Sequence, residues 1–120
     1  MSEETSTLRL SESDGVTIVS FKDASILDAL SIQRIGQQLY QVVDAPNRSK
    51  VVLDFSAVRF LSSQALGVLL TLRRKADKAG VKIALCAIRP ELFRVFTITN
   101  LNQFFAFFDT TQDAVAGLNK

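Results

Sequence analysis

Two adjacent serines, Ser62 and Ser63, stand at the joint of "VRFLSSQALGVLL". Hydroxyls placed there can do one of two things. They can cap the helix that follows, because a serine oxygen accepts a backbone N–H that otherwise goes unpaired. Or one of them can accept a phosphoryl group. A helix N-terminus accommodates phosphate readily, since its free N–H groups and its dipole both favour negative charge. A cap accounts for at least one of the pair. A phosphoserine at this point would leave the fold intact and change the local charge by about −1.5 to −2. That is the physical outline of a docking switch.

Little else in the chain carries chemistry. There is no histidine, which removes histidine acid–base catalysis and histidine metal ligation. No G-x-S-x-G elbow surrounds either serine. Neither GxGxxG nor GxxxxGK[ST] occurs, so no glycine-rich phosphate loop is expected. Cys86 is the lone cysteine. It cannot form an internal disulfide, which is compatible with a reducing cytoplasm. Its apolar surroundings in sequence read as those of an inert buried thiol. Asp54 is odd in an apolar run. Either it lies at a strand's C-terminal end, where parallel sheets place functional groups, or it simply marks where the strand stops. Asp28, Asp44 and Asp54 are not spaced as an acid–base pair. Self-contained catalysis, a metal and a cofactor are therefore not expected.

Composition bounds the class. The chain has 120 residues, 48% apolar and 22% charged, as an ordinary globular protein does. Residues 1 to 7 read as a flexible tail and residues 8 to 120 as a single domain. Net charge is +2, from 14 basic and 12 acidic residues, too balanced for a nucleic-acid footprint. The run Arg73, Arg74, Lys75 and Lys78 reads as a solvated helix face whose charge suits a helix C-terminus. The start "MSEETSTLRL" lacks the basic flank and apolar core of a signal peptide. No apolar run approaches the ~20 residues of a membrane span.

The elements that must position the serines follow from periodicity. "LRLSES" and "VTIVSF" alternate about the turn pair Asp14-Gly15, which predicts a hairpin over residues 8 to 22. "ASILD" is a short extended piece. Leu30, Ile35, Leu39 and Val42 or Val43 predict a helix from near Asp28 to before Pro46. "KVVLDF" reads as a strand buried on both faces. A second helix is expected from Ser62 or Ser63 to Ala79, with Gly80 as terminator. Ala65, Leu69, Leu72 and Ala76 form its apolar stripe. "VKIALCAI" predicts another buried strand, "PELFRVFTIT" a helix opened by Pro90, "FFAFF" a last strand, and "TTQDAVAGL" a last helix capped by Thr110 with Asp113. The phenylalanines at 104, 105, 107 and 108 read as core and edge packing. Together these predict an α/β fold, a mixed sheet with an N-terminal hairpin and parallel strands. About four helices would pack mainly on one face.

The joint then resembles a known family. "VLDFSAVRFLSSQALGVLL" is similar to the pattern of the STAS domain of bacterial anti-sigma factor antagonists. There a buried strand ends in L-D-[LF]-S, a V-x-x-[ML] link follows, and D-S-[ST]-G-L-G-V opens a helix. The L-D-F-S, V-x-x-L and L-G-V elements match here, and "SILD", ending in Asp28, matches an earlier family element. The chain departs from the pattern at Ser62, Gln64 and Ala65, where the family has aspartate, a small hydroxyl residue and glycine.

The resemblance implies a cytoplasmic transcription regulator with no enzymatic activity. Its partners would be an anti-sigma factor serine kinase of the GHKL type and a phosphatase, and it would be a monomer or weak dimer. Ser63 would be the phosphate acceptor, with Ser62 as the alternative. Asp28, Asp54, Arg59, Phe60, Ser62, Ser63 and Gln64 would form the partner surface. A non-phosphorylated scaffold in a signalling or lipid-transport complex and a nucleotide-binding module stay open beside it.

Overall fold

The computed structural model describes residues 8–21, 25–26, 29–44 and 49–119. The expected tail over residues 1 to 7 lies outside the described residues. The chain opens with strands β1 (Leu8–Ser13) and β2 (Val16–Phe21) as an antiparallel hairpin, Leu8 opposite Phe21. Asp14 and Gly15 both take positive φ, 53° and 79°, the geometry that suits a two-residue hairpin. Strands β4 (Lys50–Asp54), β6 (Lys82–Cys86) and β7 (Ala106–Phe108) follow β2 in parallel. Among the described residues they form one sheet of order β1-β2-β4-β6-β7. A second, two-stranded parallel pair joins β3 (Ser25–Ile26) to β5 (Phe60–Leu61).

The helices are α1 (Ala29–Asp44), α2 (Ser63–Ala79), α3 (Pro90–Ile98) and α4 (Thr111–Leu118). Alternation along the strands divides the core between two faces. Val19, Leu53 and Leu85 meet Leu39, Leu69, Leu72, Leu92 and Phe96, so α1, α2 and α3 share one face. Val16, Ile18, Val52 and Ala84 meet Ala114, Val115 and Leu118 of α4 on the other. Three helices on one face and one on the other agrees with the expectation of about four helices packed mainly on one face. Strand β4 has no alternation because both its faces are covered. Val51, Val52 and Leu53 are at most 1% exposed, and burying each contributes about 1.5–3 kcal/mol.

Two boundaries differ from the expectation. The strand expected over "FFAFF" is only Ala106–Phe108. Before it, Asn100 takes positive φ, 64°, and Leu101–Gln103 make a 3₁₀ turn. The chain must reverse there between α3 and β7. The turn drives Phe105 into the core and leaves Phe104 44% exposed. The strand expected over "VKIALCAI" ends at Cys86, because Ala87 takes positive φ, 59°, and bends the chain toward α3.

Helix ends are fixed locally. Gly80 closes α2 in the left-handed conformation, φ 74°. Pro90 occupies the first turn of α3, and Thr110 caps α4 by accepting the Asp113 N–H at 3.0 Å. Lys50 Nζ donates to Asn119 Oδ1 at 2.7 Å, and Asn119 Nδ2 donates to the Asp14 carbonyl at 3.1 Å. These bonds tie the end of α4 to β4 and to the hairpin turn.

The Phe108 ring packs against α4 at Gly117, where an added Cβ would stand 2.5 Å from Phe108 Cζ. Gly117→Ala is expected to destabilise the fold by about 1–3 kcal/mol through overpacking. The check is a lower urea midpoint with an unchanged slope. An unchanged midpoint would mean the ring shifts without cost.

Candidate functional site

The site is built where β4 stops. Asp54 is its last residue, and Asp54 Oδ1 accepts the Ser56 N–H at 2.9 Å, which turns the chain out of the sheet. Phe55 stays anchored, its N–H donating to the Cys86 carbonyl at 3.0 Å and its ring 4.9 Å from that of Phe21. Val58 is fully buried and its N–H returns to the Phe55 carbonyl at 2.9 Å. Both ends of the loop are thus held, and Arg59 and Phe60 are presented outward. Phe60 is 57% exposed although it pairs in β5.

Ser62 follows β5 directly. Its backbone is extended and its Oγ accepts the Ala65 N–H at 3.2 Å, so it is the N-cap of α2. Ser63 is the first helical residue and is exposed. Among the described residues, no group hydrogen-bonds its hydroxyl. The first intrahelical bond runs from Leu66 N–H to the Ser62 carbonyl at 3.2 Å. The N–H groups of Ser63 and Gln64 therefore lie ahead of the helical ladder, as at any helix start.

The expected partner residues fall into two groups. Arg59, Phe60, Ser62, Ser63 and Gln64 form one continuous surface around the start of α2. Asp54 shares the carboxyl end of the strands with them but points to the opposite face. Ser20 Oγ donates to Asp54 Oδ2 at 3.4 Å, and Cys86 Sγ lies 3.5 Å from Thr111 Oγ1 at the start of α4. Asp28 lies outside the described residues.

The structure adds residues that the sequence pattern did not single out. Gln33, Gly36, Gln37 and Tyr40 of α1 face Gln64 and Val68 of α2 across an uncharged groove that starts beside Ser63. A Cβ at Gly36 would stand 3.2 Å from Val68 Cγ1, so the helices approach closely there. Lys75 Nζ lies over the Tyr40 ring at 5.2 Å from its centroid. Gln33, Gln37 and Gln41 recur every fourth residue, which is the signal that could have revealed the α1 wall. Below β5, Phe21, Ile32, Leu61, Ala65 and Leu69 enclose a void of about 20 Å³. Its lining is apolar, and it is far below the ~300–1,000 Å³ of a ligand pocket.

The family pattern of the STAS domain matches residues 7–114. This chain belongs to the STAS domain family. An anti-sigma-F factor antagonist, RsfB of Mycobacterium tuberculosis, is 28% identical over 112 residues, covering 93% of this chain and 88% of that one. The crystal structure of an anti-sigma factor antagonist from Mycobacterium paratuberculosis superposes with a TM-score of 0.80 at 28% identity, covering 95% and 94% of the two chains. SpoIIAA of Bacillus, solved in its phosphorylated form, shares the fold at a TM-score of 0.70 and 13% identity, covering 92% and 98%. Among the described residues of this STAS domain, no helix is long and apolar enough to cross a membrane.

Two outcomes follow from this geometry. Ser62→Ala is expected to cost about 0.5–2 kcal/mol as a lost N-cap. Ser63→Ala, an exposed change, is expected to stay within about 0.5 kcal/mol, both read by urea denaturation. Burial pushes the Cys86 thiol above the ordinary thiol range, the Thr111 hydrogen bond opposes this, and the Asp54 charge adds to it. A folded value above the unfolded one means stability is full below the ordinary thiol range and falls as pH rises through and beyond it. Cys86→Ala should flatten that alkaline decline, measured as urea midpoint against pH.

Proposed function

We propose that this STAS domain is an anti-sigma factor antagonist whose docking is switched by phosphorylation of Ser63. The observation that carries the reading is the division of labour at the start of α2. Ser62 Oγ is engaged in the cap at 3.2 Å, while the Ser63 hydroxyl is exposed and makes no hydrogen bond among the described residues. A kinase can reach the second without breaking the first. The names of the mycobacterial relatives support the antagonist role. The phosphorylated form of SpoIIAA shows that the fold tolerates phosphate in that protein.

In this reading the partner is an anti-sigma factor serine kinase of the GHKL type, and a phosphatase resets the switch in the cytoplasm. Arg59, Phe60, Gln64 and the uncharged α1–α2 groove form the docking surface. Phe60 supplies the aromatic anchor, the residue type that most often carries interface energy. Phosphate on Ser63 places about −1.5 to −2 charges at the edge of that surface. The N–H groups of Ser63 and Gln64 offset part of this within the chain. A partner docked against the surface would have to bury the remainder, which is costly without a matching cation. Ser62, in place of the family's aspartate, leaves the unphosphorylated surface less negative.

The test is phosphosite mapping on protein recovered from its own cells, joined to binding of each variant to its anti-sigma factor. Phosphate is expected on Ser63. Ser63→Asp is expected to keep the wild-type melting temperature and weaken binding roughly tenfold or more, or about 1.4 kcal/mol. Phosphate on Ser62 alone would reverse the two roles. Absence of phosphate together with normal binding by Ser63→Asp would favour a scaffold that needs the surface and not the serine.

A further inference from the structure

Strand β7 ends the sheet, and its outer edge is paired with no strand among the described residues. Its inner edge is committed to β6, with Ala87 N–H donating to the Phe108 carbonyl at 3.1 Å. A strand residue points its N–H and carbonyl to the same side, and neighbours alternate. Phe107 therefore turns both its backbone groups away from the sheet.

The edge is flanked by a groove on each face. On the α3 face, Ile88, Pro90 and Phe93 rise beside Phe107. Phe93 meets the Phe107 ring edge-on at 5.1 Å and is 40% exposed. On the α4 face, Asp113, Ala116 and Gly117 rise beside Phe108. Asp109 borders both grooves. A strand laid along β7 would send alternate side chains into the two grooves, as strand addition requires.

The rim sets the charge of what fits. Asp109 and Asp113 are both exposed, and among the described residues no cation pairs with either. Asp113 lies in the first turn of α4 and Asp109 one residue before its N-cap, Thr110, so both carboxylates stand at the start of that helix. Arg89 and Arg94, the cations flanking the start of α3, line neither groove. An aromatic floor beside an acidic rim suits a segment that alternates apolar and basic residues.

We infer that the β7 edge is a docking site for an extended peptide segment of a partner protein, alternating apolar and basic side chains. The segment adds as a strand through Phe107, with an apolar side chain against Phe93 and a basic one at Asp109 and Asp113. The surface is separate from the Ser63 switch and does not depend on it.

The test uses the full chain, isotope-labelled, titrated with a terminally blocked hexapeptide of alternating valine and lysine and followed by amide NMR. Saturable shifts are expected at Phe93, Phe107 and Asp109, with slower hydrogen exchange at the Phe107 amide. A second hexapeptide with glutamate in place of lysine is expected to bind at least about tenfold more weakly. The double variant Asp109→Asn and Asp113→Asn, checked for an unchanged fold by its spectrum, is expected to erase most of that preference. Ser63→Asp is expected to bind the lysine peptide as the wild type does. No saturable shift at Phe107, or equal binding of the two peptides, would overturn the proposal.

Discussion

The covering of β4 on both faces governs the rest of the molecule. Val51 and Leu53 face one layer and Val52 the other, each with almost no exposure. A strand held in this way offers polar chemistry only at its ends. At its carboxyl end Asp54 satisfies the Ser56 N–H and the chain turns outward. Val58 pulls the loop back into the core, and β5 pairs with β3. Only after these constraints does the chain reach Ser62. The start of α2 is therefore fixed on two sides, by the loop anchor and by the two-stranded clip.

That fixed helix start sets the character of the proposed switch. A phosphate added at Ser63 meets a helix start that already favours negative charge, and the cap is carried by a different hydroxyl. As proposed, the modification would act on what the surface attracts or repels, with no rearrangement needed inside. Asp54 and Cys86 lie at the same end of the strands but beneath α4, with the sheet between them and the serines. They belong to the stability of the α4 face, and the raised thiol of Cys86 reports burial there.

Much of this was legible in the sequence, for physical reasons. Helix α2 announced itself through an apolar stripe, a serine before it and Gly80 after it, and each feature proved to have its expected local cause. The hairpin was carried by Asp14-Gly15, a pair suited to two positive φ values. Strand β5 was not visible, because two residues are too few to show a period, and its partner lies over thirty residues away. The "FFAFF" run misled because four phenylalanines suit a strand and a turn packed on the core equally well. The face chosen by Asp54 depends on the register of β4, which no local pattern states. The groove between α1 and α2 needed their close packing at Gly36, a tertiary fact.

In the proposed switch, phosphate on Ser63 changes the charge of a fixed surface. Amide NMR spectra of the chain before and after phosphorylation on Ser63 test it most directly. Shifts are expected to be confined to the stretch from Arg59 to Gly67 and the facing turn of α1, with the Ala65 amide still protected by Ser62. Shifts spread through β4, β6 and α4, or loss of protection at Ala65, would contradict it.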